Sequence, residues 1–418
     1  MLFIYNIIVV FADFLLKILA LFSKKIGLFV EGRKLVFNIL SNKIKYYDKT
    51  IWFHAASLGE YEQGLPVMER IKSRFPNHKI VLTFFSPSGY EVRKNNTIAD
   101  VTVYLPMDTQ SNVEQFMKIV RPDMVFFIKY EYWPNYLDAL QKKEVPTYLI
   151  SGIFREKQMF FKWYGGFYRK ALDTFEHFFV QNSSSKELLL KLGKTNVTVS
   201  GDTRFDRVFE IVNQNNQLDF IEKFKNNTLT IVVGSSWPKD EMLMVNYINS
   251  SNTIKFIIAP HNINKNQIVD LRNQISKKTM LFSSINFNDL DGSKLAEHDV
   301  LIIDTIGILT KIYSYADIAY VGGGFGNPGV HNILEPATFG VPIIIGPNYS
   351  HFAEATALVK MNGCISITNQ EELNEAFDIL IQNSDVRFEK GHICSTFVEM
   401  NKNAIDIIMN YIIQKKFN

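Results

Sequence analysis

Cysteine and net charge are both scarce in this chain of 418 residues. Its two cysteines, Cys364 and Cys394, exclude a disulfide framework and a cysteine-based metal site, and they fit a reducing compartment. The formal net charge of +3 is too small to indicate nucleic acid as a partner. Apolar content is ordinary for a globular protein, and the chain is long enough for two domains of usual size.

Long apolar runs are also rare, and the notable one, from Leu2 to Phe22, lies at the N-terminus. Its length approaches that of a bilayer span, but Asp13 and Lys17 make a full span costly. These two residues stand four apart, so they share a helix face and can pair. No small-residue cleavage site follows, so we expect no secretory signal. Three alternatives stay open: a helix lying on a membrane, a true span, or a buried helix.

Predicted strands alternate with predicted helices through the first half of the chain, which indicates a parallel sheet. The alternation restarts in the second half. The polar, Asn/Gln-rich segment 207–227 between the halves is predicted to be a linker. The predicted strands are 51–55, 79–85, 101–105, 124–128, 147–151 and 177–180, followed by 228–234, 254–259, 300–304, 318–321 and 342–345.

The fold class is therefore α/β, with two Rossmann-like domains that we expect to face a cleft. Ligands in such sheets bind beyond the carboxyl ends of the strands. We predict an N-terminal apolar helix (1–25), a first domain (26–206) and a second domain (207–418). The last helix, 401–414, is expected to pack back on the first domain.

A glycine-rich stretch, Val321 to Pro336, follows the predicted strand 318–321. Glycines allow backbone amides to approach a phosphate, and a following helix start adds unpaired N–H groups. The stretch is neither a Walker loop nor a dinucleotide fingerprint, because the Gly-Lys-Ser/Thr and the required Gly spacing are missing. It suits a nucleotide with few phosphates. The alternative is a turn that merely closes a βα unit.

Glu60 is the first candidate for a general base, because it follows a predicted strand and begins a predicted helix. The helix N-terminus should favour its ionised form. The alternative is an ordinary glutamate in the first turn of a helix. His54 and Ser57 lie nearby, but no Gly-x-Ser-x-Gly elbow surrounds the serine, so we expect His54 to make a structural hydrogen bond.

Glu131 and Arg204 also lie near predicted strand ends. Glu131 can face the expected cleft. Arg204 either neutralises a leaving phosphate or forms a salt bridge at the domain hinge. The pair Asp289 and Asp291 matches the two-aspartate pattern of metal-dependent sugar transfer, but with no strand ahead of it we interpret it as a solvated loop. We expect neither a metal nor a cofactor.

The segment from Arg155 to Lys170 mixes basic and aromatic residues. Such a mixture is typical of a surface at a membrane interface. The alternative is a helix whose aromatic side chains belong to the core.

Taken together, these motifs resemble the Kdo transferases of lipopolysaccharide synthesis. That family moves 3-deoxy-D-manno-octulosonic acid (Kdo) from CMP-Kdo to a lipid A precursor, lipid IVA. The resemblance runs from about Gly32 to about Phe352. It rests on an ordered set of motifs: Ile51–Glu60, Thr83–Gly89, Leu105–Asp108, Arg121–Asp123, Glu131–Asn135, Gln181–Ser183, Gly201–Asp206 and Val321–Glu335.

The resemblance implies a GT-B fold, an inverting and metal-independent transfer, and a place on the cytoplasmic side of the inner membrane. It makes the first domain the acceptor domain and the second the CMP-sugar domain. Glu60 matches the catalytic base, and Glu131 and Arg204 match positions that stabilise the transition state. The matching donor-binding residues are Pro260, His261, Ile306, Gly307, Ile308, Asn332, Ile333, Leu334 and Glu335.

The chain departs from the family pattern at several positions. Many relatives have Arg at His261, Glu at Ile308, Lys at Arg204 and Glu at Lys129. His261 can still bind a phosphate, whereas Ile308 offers only its backbone. Two rival functions stay open: a UDP-sugar enzyme of the same fold, such as a lipid-disaccharide synthase or an epimerase, and a non-catalytic membrane-bound nucleotide sensor.

Overall fold

The computed structural model describes residues 2–287 and 292–417. It forms two compact units, Met1–Asp206 with Lys402–Asn418, and Arg207–Asn401. Within the described residues each unit contains a parallel sheet of seven strands. The predicted α/β class with two Rossmann-like domains is confirmed.

The first unit begins with helices and then alternates strands with helices. Its elements are α1 (Leu2–Leu19), α2 (Lys24–Lys34), α3 (Val36–Lys43), β1 (Lys49–Ala55), α4 (Leu58–Arg74), β2 (His78–Phe84), α5 (Pro87–Arg93), β3 (Val101–Tyr104), α6 (Gln110–Val120), β4 (Pro122–Ile128), α7 (Pro134–Lys142), β5 (Thr147–Gly152), α8 (Gly166–Ala171), β6 (His177–Val180), α9 (Ser183–Lys191), β7 (Val197–Val199) and α10 (Thr203–Val212), which runs on past the unit boundary.

The sheet of the first unit has the strand order β3-β2-β1-β4-β5-β6-β7. Its central strands are apolar and buried on both faces, as expected where helices cover both sides of a parallel sheet. The order reverses between β1 and β4, which pair directly. Ligands of open α/β sheets bind at such a reversal, beyond the carboxyl ends of the strands. Glu60 and Glu131 follow these two strands.

Helix α1 is exposed along most of its length, and Val9 is its buried residue. It is the one helix, among the described residues, that is long and apolar enough to cross a membrane. The alternative that it is a buried helix is therefore wrong. Two polar contacts dock it on the first unit: Tyr5 donates to Asp108 at 2.7 Å, and Asn135 donates to Asn6 at 2.8 Å.

The second unit repeats the alternation. Its elements are α11 (Asp219–Lys225), β8 (Thr230–Ser236), α12 (Pro238–Ser250), β9 (Lys255–Pro260), α13 (Lys265–Gln274), β10 (Thr279–Leu281), α14 (Gly292–Ala296), β11 (Val300–Ile302), α15 (Leu309–Ile312), β12 (Ile318–Val321), α16 (Leu334–Thr338), β13 (Ile343–Ile345), α17 (Ala353–Lys360), β14 (Cys364–Ser366), α18 (Gln370–Gln382) and α19 (Ser384–Asn401). The strand order is β10-β11-β9-β8-β12-β13-β14, so this sheet reverses between β8 and β12.

The last helix, α20 (Ala404–Phe417), belongs to the first unit. The carboxylate of Asp206 accepts hydrogen bonds from the backbone amides of Asn403, Ala404 and Ile405, at 2.9–3.3 Å. Satisfying the unpaired amides at a helix start in this way fixes where α20 begins. The helix then contributes apolar side chains to the core beside β1: Ile405, Ile408, Met409 and Ile412.

The segment 207–227, which was predicted to be a linker, begins at the boundary between the two units, but α10 and α11 occupy most of it. The polar composition hides a helical spacing of buried side chains, with Phe205 and Val208 on α10 and Phe220 and Phe224 on α11.

Candidate functional site

Glu60 lies in the first turn of α4, just beyond the carboxyl end of β1. Its side chain is buried, and its Oε2 accepts a hydrogen bond from the backbone amide of Ala56 at 2.5 Å. Burial, reinforced by the charge of Glu131, raises the pKa of Glu60 to about 8, although Ala56 and Lys129 act in the opposite direction. The expectation that the helix start keeps this carboxyl ionised is wrong, because desolvation outweighs the helix terminus.

Glu131 follows β4, the strand next to β1, and is partly buried. Its Oε2 lies 3.0 Å from Nε1 of Trp133, which donates to it, and 3.3 Å from Nε2 of His54. The predicted hydrogen bonding of His54 is thus confirmed. On the other side of the ring, His54 Nδ1 lies 2.8 Å from the Thr83 hydroxyl. Two neighbouring strand ends therefore bring two carboxyl groups together, and a buried imidazole supports one of them.

Arg204 is the second residue of α10, beyond β7. Its side chain donates to Oδ2 of Asp202 from two nitrogen atoms, at 3.0 and 2.8 Å. Asp202 is almost fully buried, and Gln63 of α4 donates to the same oxygen at 3.0 Å. The cation is therefore held in place within the first unit by its neighbour Asp202, with about a quarter of its side chain exposed. Trp133, Thr83 and Gln63 are supporting residues that the sequence analysis did not identify.

In the second unit, three rings meet beyond β8, β9 and β12. Trp237 Nε1 donates to His331 Nε2 at 2.8 Å, and the two rings are nearly coplanar, at 11°. His261 stacks over both, with ring centroids 4.8 Å from Trp237 and 4.3 Å from His331. Burial lowers the pKa of His261, and burial together with His261 lowers the pKa of His331 to about 4. The sequence identifies His261 and the stretch that contains His331 as parts of a nucleotide site, but it does not predict that their rings contact each other and Trp237.

Glu335 and Asn332 lie together at the start of α16. Glu335 accepts hydrogen bonds from the Asn332 side chain at 3.1 Å and from the Thr310 hydroxyl at 2.8 Å. Burial raises the pKa of Glu335, while these two donors act against that rise. Thr310 lies on α15, which directly follows the predicted donor residues Ile306, Gly307 and Ile308.

The other predicted donor residues differ in what they expose. Ile306 is largely exposed, and Gly307 has φ +101, a conformation that favours glycine. The side chains of Ile333 and Leu334 are buried in the core, so they can offer a ligand only backbone atoms. Pro260 ends β9, and Ile308 precedes α15.

The glycines after β12 serve packing. The amide of Gly322 donates to the Gly234 carbonyl, and the amide of Gly323 donates to Asp240. A Cβ on Gly322 would lie 2.4 Å from the Ser235 carbonyl oxygen, and one on Gly324 would lie 2.7 Å from the backbone of Gly346. These contacts favour the interpretation of a turn that closes a βα unit over that of amides free for a phosphate.

Groups of three or more metal-ligating side chains are absent from residues 2–287 and 292–417. The pair Asp289 and Asp291 lies outside the described residues. The segment from Arg155 to Lys170 is mixed: Phe160 is buried in the core, whereas Trp163 and Tyr164 are exposed.

The first unit matches the family model of the 3-deoxy-D-manno-octulosonic-acid transferases over residues 30–207. A 3-deoxy-D-manno-octulosonic acid transferase from Chlamydophila psittaci is 27% identical over 385 residues, which cover 88% of this chain and 86% of that protein. One from Aquifex aeolicus is 26% identical over 349 residues, covering 81% and 88%. A bifunctional glycosyltransferase/methyltransferase from Fusobacterium nucleatum is 23% identical, but the match covers 58% of its length.

Solved structures agree on the fold. UDP-GlcNAc 2-epimerase from Neisseria meningitidis superposes with a TM-score of 0.58 at 15% identity, over 87% of this chain and all of that chain. MurG from Acinetobacter baumannii does so with a TM-score of 0.54 at 14% identity, over 88% and 99%. Identities this low show the fold alone. The family model shows that residues 30–207 form the domain of the Kdo transferases, and the chain as a whole is similar in sequence to those transferases and has the GT-B fold.

Proposed function

We propose that this chain transfers Kdo from CMP-Kdo to a lipid A precursor, lipid IVA, with inversion at the anomeric carbon and without a metal. The observation that carries the proposal is the buried carboxyl of Glu60 beside Glu131, at the strand reversal of the first unit. A carboxylate whose pKa is near 8 is a much stronger proton acceptor than one in water.

In this mechanism the ionised form of Glu60 accepts the proton of an acceptor hydroxyl, and the fraction of Glu60 in that form rises as the pH approaches 8. The resulting oxygen forms a bond to the anomeric carbon, and the bond from that carbon to the phosphate oxygen breaks, its electron pair leaving with CMP. The transition state has oxocarbenium character and carries positive charge on the sugar. A fixed anion at Glu131 stabilises that charge, and the Arg204 cation stabilises the negative charge that develops on the phosphate.

The second unit is proposed to bind the donor. Glu335 can accept hydrogen bonds from ribose hydroxyl groups, and His261 can donate to a phosphate oxygen. The backbone near Gly307 and at the start of α16 supplies further amides. In this proposal α1 lies at the inner membrane, on the cytoplasmic side, where the acylated acceptor is found.

The test is a transfer assay with CMP-Kdo and lipid IVA, with the product identified by mass. We expect E60Q to lower turnover by about 10²-fold or more, because the amide cannot accept the proton. E62Q is the matched control: Glu62 lies on the same helix, and its side chain pairs with Arg93 at 2.9 Å. Turnover of E60Q close to that of the wild type would contradict the role of Glu60.

Donor binding separates this proposal from that of a UDP-sugar enzyme. In a calorimetric titration we expect this protein to bind CMP and not UDP. Binding of CMP without any transfer would favour the nucleotide-sensor alternative.

A further inference from the structure

His54 is a buried titratable residue that takes no part in the proposed reaction. It is the penultimate residue of β1 and is fully buried among the rings of Trp52, Phe127 and Trp133. Both ring nitrogens have polar neighbours: Thr83 at Nδ1, and Glu131 and Nε1 of Trp133 at Nε2. A buried imidazole with both nitrogens engaged has a fixed orientation and a defined tautomer.

The hydrogen bonds around His54 indicate which nitrogen carries the proton. The hydroxyl oxygen of Thr83 accepts a hydrogen bond from Trp52 Nε1 at 2.8 Å, and its own proton can go to His54 Nδ1 at 2.8 Å or to the Phe53 carbonyl at 3.4 Å. The shorter contact makes Nδ1 the acceptor and leaves the proton on Nε2. Nε1 of Trp133 lies 3.1 Å from this nitrogen and 3.0 Å from Oε2 of Glu131, and because a carboxylate is the stronger acceptor we assign the indole N–H to Glu131. That proton is directed at the carboxylate of Glu131, which can only accept when ionised.

From this geometry we propose that His54 is a positioning residue: with Trp133, it holds Glu131 as an oriented anion. Two N–H groups then converge on Oε2 of Glu131 and stabilise its charge. The charged or titratable groups that act on this pair of carboxyls or on its tyrosine neighbours include Lys129, Tyr130, Tyr132 and Arg155. His54 and Trp133 supply hydrogen bonds to Glu131 itself. The consequence for transfer rests on the proposed function, in which the negative charge of Glu131 is used in the transition state.

Two substitutions of His54 test the contacts of its two ring nitrogens one at a time. In H54N the side-chain amide reaches the Nδ1 position, so the contact with Thr83 is kept and the donor to Glu131 is lost. In H54Q the amide reaches the Nε2 position, so the donor to Glu131 is kept. Thermal unfolding of both variants shows whether the fold is intact.

The first readout is the infrared spectrum of the full-length protein at one fixed pH, in which subtraction of the E131Q spectrum assigns the carboxylate band of Glu131. In H54N we expect this band to shift in frequency, because the carboxylate loses one of its two N–H donors. H54Q should return the band to the wild-type frequency. An unchanged band in H54N would overturn the proposal. If H54N does not fold, two other variants take its place. W133F removes the second N–H donor to Glu131, and T83V removes the hydroxyl that fixes the tautomer of His54. The proposal requires the same shift of the Glu131 band in both.

The second readout is a double-mutant cycle on transfer. We expect H54N to lower kcat by about tenfold with little change in KM, and H54N/E131Q to match E131Q, because His54 acts through Glu131. Additive losses would mean a merely structural role and would also overturn the proposal. A shifted infrared band in a protein without transfer activity would contradict the proposed function and leave this inference standing.

Discussion

Arg204 and Gln63 donate hydrogen bonds to one and the same oxygen atom, Oδ2 of Asp202. Gln63 lies three residues after Glu60 on α4. The candidate base and the candidate cation are therefore connected through a single helix and one buried carboxylate. A helix is rigid over one turn, so this connection fixes the position of both groups within the first unit.

Replacing Arg204 tests whether its charge or its shape matters. We expect R204M to lower kcat by about 10²-fold or more, as does the loss of a group that stabilises developing negative charge. R204K should lose about tenfold, because lysine keeps the charge but cannot donate from two nitrogens of a planar group to Asp202. R93K, on the same unit and paired with Glu62, is the control. Wild-type kcat in R204M would contradict the assignment and favour a structural ion pair.

The stability of the fold should depend on pH through Glu60. The native state holds the Glu60 proton up to about pH 8, whereas the unfolded chain releases it near pH 4.5. Between these values the native state binds more protons, so the free energy of unfolding falls as pH rises. E60Q has no proton to release at this position, so its free energy of unfolding should not fall in this way. We expect the free energy of unfolding of E60Q minus that of the wild type to grow from pH 5 to pH 8, by on the order of a few kcal/mol. Urea unfolding at several pH values measures it. A difference that does not change with pH would show that Glu60 is not held protonated.

CMP binding should depend on pH through His261. Burial lowers the pKa of this imidazole, so it is neutral at pH 7 and can gain charge only in acid. We expect the affinity for CMP to rise as pH falls below about 6.5, because a protonated imidazole attracts the phosphate. H261R should bind CMP more tightly at pH 7.5 and lose this dependence, since arginine stays charged and can stack on Trp237. Calorimetric titration with CMP measures both effects, and an H261R variant with the wild-type pH dependence would assign that dependence elsewhere.

Membrane association should depend on the exposed face of α1. Phe11 and Phe14 are both about 60% exposed, so F11D/F14D changes the outer surface without removing core contacts. We expect this variant, like a deletion of residues 2–22, to move from the pellet to the supernatant after sedimentation with phosphatidylethanolamine and phosphatidylglycerol vesicles. V10A is a milder control on the same helix. An unchanged distribution would point instead to the exposed rings of Trp163 and Tyr164.

The sequence revealed the central strands because each is a continuous apolar run next to turn residues. Three of the four edge strands, Val197–Val199, Thr279–Leu281 and Cys364–Ser366, have three residues each and contain a polar residue or cysteine, so they show no continuous apolar run. The place of Glu60 after a strand was enough to predict it as a candidate base. The sequence did not predict that this carboxyl holds a proton. Burial by residues distant in the chain sets that property, and a sequence pattern does not report it.

The same limit applies to supporting residues. Thr83 and Trp133 contact His54 only because β2, β1 and the segment after β4 lie side by side in the sheet. Trp237 and His331 are 94 positions apart and meet because β8 and β12 are neighbours. Contacts between strands that are far apart in the sequence depend on the strand order of the sheet. A sequence pattern can therefore identify the separate residues but not their contacts.

The capping of α20 by Asp206 has a consequence for biosynthesis. The core beside β1 stays incomplete until Ile405, Ile408 and Ile412 have been synthesised. Nascent domains generally fold in the order in which they leave the ribosome. Here the core of the first unit is complete only after residues 207–401, which form the other unit, have been synthesised. An apolar stripe along β1 and α4 therefore stays uncovered until α20 has been made.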